Sequence, residues 1–433
     1  MPTLTDINRP LSPVERWYWI ADHFSPLNVI ARVRVHGKVT ISALRQSLDA
    51  LQSKHPLLRT MIVADHVGRN PRFVTGEVHP IALRTECGDQ WELEVNEHQL
   101  SDRMDLRRGP LCRAAVLTVA PDVHDLLLTV SHIIADATTV MSLAKEWLEL
   151  AAGQVVGDRP ALPAPEDMFP ARHRALRGAL GAAARLLPDQ RKLRRESLRR
   201  LVPTETVADE LRRTQLVHRS LAPGQLGALL PACKRNGSTV HGALAAAMIT
   251  AVARDAAVSA PCEYSIGSPI DFRAELTGPV SNQDAGAYIA TVSSFVDYTP
   301  TGGFWPLARA VSRDVAMRRR RGDHFSTINL LRWMCPPSPG ESESFRRLVE
   351  ARGPGNLCLS NIGVYDFPSR IGPWRVSDAQ FTTGLSISGY LAAAVNTSHG
   401  HLFWNFSYVE RAMSLQRAKR IADDSVTTVL SAT

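Results

Sequence analysis

Residues 131–137 read SHIIADA and hold the chain's clearest pairing of chemistry-bearing side chains. His132 and Asp136 stand four residues apart, directly after the apolar run DLLLTV (125–130). A neutral imidazole, with an ordinary pKa of about 6.5, can take a proton from an attacking hydroxyl or amine. The same histidine can also be a polar residue that closes a buried strand, because HxxxD alone occurs by chance. The other histidines carry weaker signals. His55 lies in the turn HPLLR, His241 lies in an Ala-rich helical stretch where a paired core role is expected, and His399 and His401 have no third ligand nearby. Six cysteines (Cys87, Cys112, Cys233, Cys262, Cys335, Cys358) are scattered, with no CxxC pair and no zinc spacing. Reduced structural thiols and no metal are expected.

The elements around the motif can be read from periodicity. HDLLLTV (124–130) reads as a buried strand and TTVMSLAKEWLEL (138–150) as an amphipathic helix, with Asp136 a candidate N-cap. SHIIADA therefore occupies a strand-to-helix connection, where functional residues ride on a rigid scaffold. Upstream, VIARVRVHGKV (29–39) alternates like a half-buried strand, and ISALRQSLDALQSK (41–54) repeats Ile41, Leu44, Leu48 and Leu51 at helical spacing. LCRAAVLTV (111–119) adds a strand.

GQVVGDRPALPAPEDMFPA (153–171), rich in proline, reads as a linker. From about residue 206 a second series begins. TQLVHRSL reads as a strand, LAPGQLGALLPACKRNG as a helix ended by Gly237, and 238–256 as an Ala-rich helix. Strands follow in YSIGSPIDFRAEL (264–276), YIATVSSFVDY (288–298), NLCLSNIGVYDF (356–367) and HLFWNFSYV (401–409), and a helix in 414–431. This recurrence predicts a layered α/β (α+β) architecture: an N-terminal lobe over 1–165, a basic linker over 166–205 and a C-terminal lobe over 206–433.

At 433 residues, 44% hydrophobic and 21% charged, the chain has globular composition and enough length for more than one core. The net charge of +8 is matched by residues 171–200, which hold nine Arg and one Lys against one Asp and one Glu. With the remainder neutral in sum and no RRM, KH or zinc-finger pattern, no nucleic-acid partner is expected. No secretory signal is visible, and ALAAAMITAVA (243–253) is too short to span a bilayer, so a cytoplasmic protein without a transmembrane segment is expected. The absence of GxxxxGK[ST], GxGxxG after a strand, GxSxG and HExxH argues against nucleotide hydrolysis, NAD chemistry, α/β-hydrolase action and zincin chemistry.

SHIIADA resembles the HHxxxDG motif of the condensation-domain and chloramphenicol-acetyltransferase-like superfamily. LSPVERWY (11–18) is similar to its L-S-x-x-E opening and LRQSLDALQSKHPLLR (44–59) to its N-terminal helix and H-P-x-L-R turn. IDFRAEL (270–276) resembles its D-x-R strand, and LSNIG (359–363) the S-N-x-G segment of the polyketide-associated branch. The resemblance spans nearly the whole chain and is nearest to acyltransferases of the phthiocerol dimycocerosyl transferase type. Nonribosomal peptide condensation domains and plant BAHD acyltransferases are more distant.

The resemblance implies two acetyltransferase-like lobes with a central tunnel, the motif histidine midway along it. It implies His132 as general base, moving an acyl group from acyl-CoA or a phosphopantetheine-bearing acyl carrier protein to a hydroxyl of a small-molecule acceptor. That acceptor would be a polyketide or similar secondary metabolite. No cofactor beyond the thioester, no metal and no covalent acyl-enzyme are implied, and a monomer is expected. Asp136 would be structural, paired with Arg273. A backbone N–H near Ala137, with Ser360 or Asn361 as second candidates, would meet the oxyanion. The basic segment 171–200 and Arg318–Arg321 would dock phosphates or an acidic carrier, the alternative being a solvated linker. Two departures stand out: Ser131 replaces the first His, altering how His132 is held, and Ala137 replaces Gly, at a cost of roughly 1–2 kcal/mol if its φ is positive. They keep open a homologue that binds or otherwise transforms a metabolite or carrier-bound intermediate, and a stand-alone amide-forming condensation enzyme.

Overall fold

The computed structural model describes all residues except 1–5, 175–177, 179–180, 183–187, 190, 194, 196 and 354–355. The periodic segments form the elements their spacing requires. The helix Ile41–Lys54 buries Leu44, Leu48 and Leu51, while Ile41 at its start stays exposed. The alternating segment becomes the strand Asn28–His36, and the apolar run before the motif becomes Val123–Ser131, paired antiparallel to it with Asn28 opposite Ser131. TQLVHRSL and HLFWNFSYV are the neighbouring strands Thr214–Leu221 and His401–Val409.

Two large sheets carry the molecule. The first runs, in spatial order, Arg370–Ile371, Trp374–Thr383, Asn28–His36, Val123–Ser131, Cys112–Ala120 and Ala82–Cys87. The second runs Ile289–Tyr298, Cys262–Asp271, Leu357–Val364, Leu391–Ser398, His401–Val409 and Thr214–Leu221, with Leu198–Arg199 beside Cys262–Asp271. Each has its own apolar core against its helices, one built on Leu44, Leu48, Val140 and Trp147, the other on Leu244, Met248, Trp404 and Ile421.

The strand Trp374–Thr383 comes from the C-terminal half yet joins the first sheet, antiparallel to Asn28–His36. A bulge at Asp378, whose φ is +53°, breaks its ladder. Buried amides from the second sheet take up backbone groups there: Asn396 Nδ2 donates to the Ala379 carbonyl (2.9 Å) and Asn405 Nδ2 to that of Phe381 (2.8 Å). Unpaired backbone groups would be costly at this depth, so the two asparagines fix where the sheets meet.

Residues 304–352, for which the sequence pattern predicts no element, form the helices Phe304–Arg321, Asp323–Met334 and Glu343–Arg352. The linker is not a solvated connector where it is described. Phe169 is fully buried against Phe272 and Phe325, His173 stacks on Phe325, and Leu198–Arg199 adds to the second sheet. Much of its charge is used within the chain: Arg174 donates to the Phe169 carbonyl and to Thr277, Arg195 pairs with Glu263 (3.1 Å), and Arg200 donates to the Gly353 carbonyl (3.0 Å). Arg177, Arg185 and Arg194 of the expected docking face lie outside the described residues. No helix among the described residues is long and apolar enough to cross a membrane.

Candidate active site

Asp136 is the N-cap of the helix Ala137–Ala151, as its position after the strand predicts; Oδ1 accepts from the Thr139 amide at 3.0 Å. The same oxygen accepts from Arg273 Nη2 at 2.8 Å, and Oδ2 accepts from the Tyr288 amide at 2.8 Å. Arg273 donates a further bond to Thr139 Oγ1 (2.7 Å), which itself donates to the Gly286 carbonyl (2.9 Å). Asp271 receives the other arm of the guanidinium at 2.7 Å. The D-x-R spacing thus sends the Arg273 guanidinium toward the N-terminal loop, with Asp271 bonded behind it.

Asp136 is 0% and Arg273 4% exposed. Burial alone would raise the Asp136 pKa, but Arg273 and the two amides outweigh it and hold the carboxyl below its usual range. The Arg273 pKa rises, because Asp136 and Asp271 together outweigh its desolvation. Asp136 is charged and braced, with every contact structural.

His132 is anchored by its own amide, which donates to the Leu27 carbonyl at 2.9 Å. Its Nδ1 lies 2.7 Å from the Ala135 carbonyl oxygen. A carbonyl only accepts, so Nδ1 carries the hydrogen and Nε2 keeps its lone pair. Burial lowers the imidazole pKa, although the Ala135 carbonyl and Asp136 act to raise it, so the neutral form dominates at neutral pH.

The ring opens on a cavity of about 350 Å³ between the two halves of the chain. Trp17, Tyr18 and Leu27 line it from the first half, and Phe295, Leu331 and Phe381 from the second. Such a volume and apolar lining suit a small-molecule site.

The remaining predicted positions separate into wall and scaffold. Ala137 and Ser360 lie on the cavity wall. Ala137 is the first residue of its helix and is not among the residues with positive φ, so its methyl carries no left-handed strain. Ser131 is fully buried, and its Oγ lies 3.4 Å from the Ile133 amide rather than on the imidazole. Asn361 Oδ1 accepts from the Gly363 amide at 2.8 Å, where φ is +73°; this turn is the physical content of S-N-x-G. His55 is a buried structural partner of Glu146 (2.7 Å), and His241 pairs with Ser268 (2.9 Å).

Tyr18 is the residue that motif reading passes over. The signal for it was the opening L-S-x-x-E, which proves to be a capping box. Glu15 N donates to Ser12 Oγ (3.3 Å) and Ser12 N to Glu15 Oε2 (2.7 Å). Starting the helix Pro13–Phe24 there puts Val14, Trp17 and Tyr18, at i, i+3 and i+4, on the cavity wall.

A condensation domain is matched across residues 9–323, which hold the capping box, SHIIADA and Arg273. The chain belongs to the condensation-domain family. Among curated relatives, one component of the linear gramicidin synthase of Brevibacillus parabrevis is 27% identical over 177 residues, 37% of this chain and 2% of that protein. The chain spans only a few per cent of the length of the first such relatives.

Solved folds match along the whole chain. Trichothecene 15-O-acetyltransferase of Fusarium sporotrichioides superposes with a TM-score of 0.76 at 11% identity, covering 99% of this chain and 95% of that one. Polyketide synthase associated protein 5 of Mycobacterium tuberculosis superposes at 0.68 and 15% identity, covering 99% of both chains. These likenesses show the shared α/β fold that the sequence resemblance implies.

Proposed function

We propose that this condensation-domain protein transfers an acyl group from a thioester, acyl-CoA or acyl carrier protein, to a hydroxyl of a small secondary metabolite such as a polyketide, with His132 as general base. One observation carries the reading: a neutral imidazole, its hydrogen committed to the Ala135 carbonyl, faces an apolar cavity built by both halves of the chain. Nε2 takes the proton as the acceptor oxygen attacks the thioester carbonyl. The tetrahedral oxyanion collapses, the carbon–sulfur bond breaks, and the leaving thiolate takes the acceptor's proton from the imidazolium. The first amides of a helix have no intrahelical acceptor, which makes the Ala137 N–H a fitting oxyanion donor, with Ser360 on the same wall. The apolar walls favour partners with apolar bodies, held in line by the cavity rather than by covalent attachment. No step draws on a metal or on a cofactor other than the thioester.

An amine acceptor uses the same geometry and yields an amide; membership of a family whose curated relatives include peptide synthases supports this second reading. The test is product analysis of the purified protein with octanoyl-CoA and either 1-octanol or octylamine. Ester formation that disappears in His132→Ala supports the proposal, amide formation alone moves it to the second reading, and unchanged turnover in His132→Ala refutes the base.

A further inference from the structure

The imidazole of His132 must be held by something other than the residue before it, because Ser131 turns its hydroxyl toward the Ile133 amide. One hydrogen bond through Nδ1 leaves the ring free to rock about that bond, and a full ring flip would put Cδ2–H on the carbonyl and Cε1 where Nε2 stands. The second constraint is aromatic. The Tyr18 ring stacks on the imidazole at 4.6 Å between centroids and 23° between planes. Offset stacking of this kind stabilises beyond area burial, enough to bias a rotamer by several-fold.

Tyr18 is itself rigidly placed. Its helix begins at the Ser12–Glu15 capping box, and Arg9 clamps the Glu15 carboxylate with two bonds of 2.8 Å. Among the described residues no hydrogen bond takes the Tyr18 hydroxyl, and the residue lies on the cavity wall beside His132. Its phenol remains protonated, since burial and the nearby Asp136 charge push its pKa up.

We propose that Tyr18 is the positioning residue for His132: its ring face and the Ala135 carbonyl together lock the imidazole as the Nδ1–H tautomer with Nε2 toward the cavity. The ring does this by contact, so phenylalanine serves as well as tyrosine. The capping box of the opening motif then has a catalytic consequence, since it sets the helix phase that brings Tyr18 onto the ring. The proposal rests on reading His132 as the base, but its test does not need a substrate.

The test is imidazole ¹⁵N NMR of the full chain, wild type against Tyr18→Phe and Tyr18→Leu, with Tyr18→Met as the second ring-free variant should Leu not fold. Wild type and Tyr18→Phe are expected to show one Nδ1–H tautomer and the same titration midpoint. The ring-free variants are expected to show mixed tautomers and a midpoint moved toward the ordinary histidine value as water reaches the ring. With octanoyl-CoA and the accepted octyl substrate, kcat should fall about 10-fold or more with KM little changed, and Phe should restore it. A single tautomer and an unmoved midpoint in a folded ring-free variant overturn the proposal, and so does loss of the tautomer in Tyr18→Phe. Either result leaves the base role of His132 standing, which His132→Ala tests separately.

Discussion

Replacing Asp136 with alanine removes the acceptor of three hydrogen bonds at a fully buried point: Thr139 N, Tyr288 N and Arg273 Nη2. Breaking a buried ion pair from one side costs about 3–5 kcal/mol, and a buried amide left without an acceptor costs roughly 1–3 kcal/mol. These contributions overlap, and Arg273 keeps Asp271 at 2.7 Å, which softens the loss. The expected destabilisation is therefore about 4 kcal/mol, or a fall in Tm of about 4 °C for a chain of this size. Thermal unfolding measures it, and a double-mutant cycle with Arg273→Ala isolates the pair. The double variant should be less destabilised than the sum of the singles by about 3 kcal/mol. Activity should fall in step, because the loop that holds His132 is tied to the other half of the chain through these bonds. A soluble Asp136→Ala protein with wild-type Tm and no activity would refute the brace and make Asp136 a participant in the chemistry. Additive single effects would separate it from Arg273.

Three further outcomes follow from the same contacts. Burial lowers the His132 pKa, so kcat/KM should stay flat down to about pH 6.5 and lose activity only below it; a midpoint above 7 would contradict the environment described. His241, half-buried and bonded to Ser268, has its pKa pushed down to about 4 by desolvation, so the unfolded chain takes this proton first as pH falls. Its contribution is present above about 6.5 and is lost on the way down to about 4, roughly 2 kcal/mol of it between pH 7 and 5. Urea midpoints of His241→Gln should fall less steeply over that range, and parallel curves would refute the assignment. Gly286 has φ +151°, and a Cβ there would meet the Tyr288 ring at 2.5 Å. Gly286→Ala should therefore cost about 1–2 kcal/mol in denaturant unfolding and reduce kcat, since it presses on the Tyr288–Arg273 contact and on the Thr139 acceptor; wild-type stability would show that the segment before the strand Ile289–Tyr298 yields freely.

Local patterns in this chain were legible because they are one-dimensional. Period 3.6 in Ile41–Lys54 and the N-cap position of Asp136 need only neighbours along the chain, and both stand in the structure. The pairing of Asp136 with Arg273 was legible for a different reason, the resemblance of two separated motifs, since nothing in their spacing brings residues 137 positions apart together. The helices between 304 and 352 were not read, although Phe304–Arg321 packs Leu307, Ala308 and Val311 at helical spacing on one core; the four arginines that end it read as a charge cluster instead.

The transfer of Trp374–Thr383 into the first sheet, the turning of Ser131 and Asn361 into scaffold, and the stack of Tyr18 on His132 depend on which surfaces meet in space. By itself the sequence determined that a histidine would stand at a strand-to-helix turn with a capping aspartate behind it. Only the tertiary structure decided that this histidine is neutral, holds its hydrogen on Nδ1 and faces an apolar cavity. Protonation and tautomer are set by desolvation and by partners that the fold, not the chain order, places beside the ring.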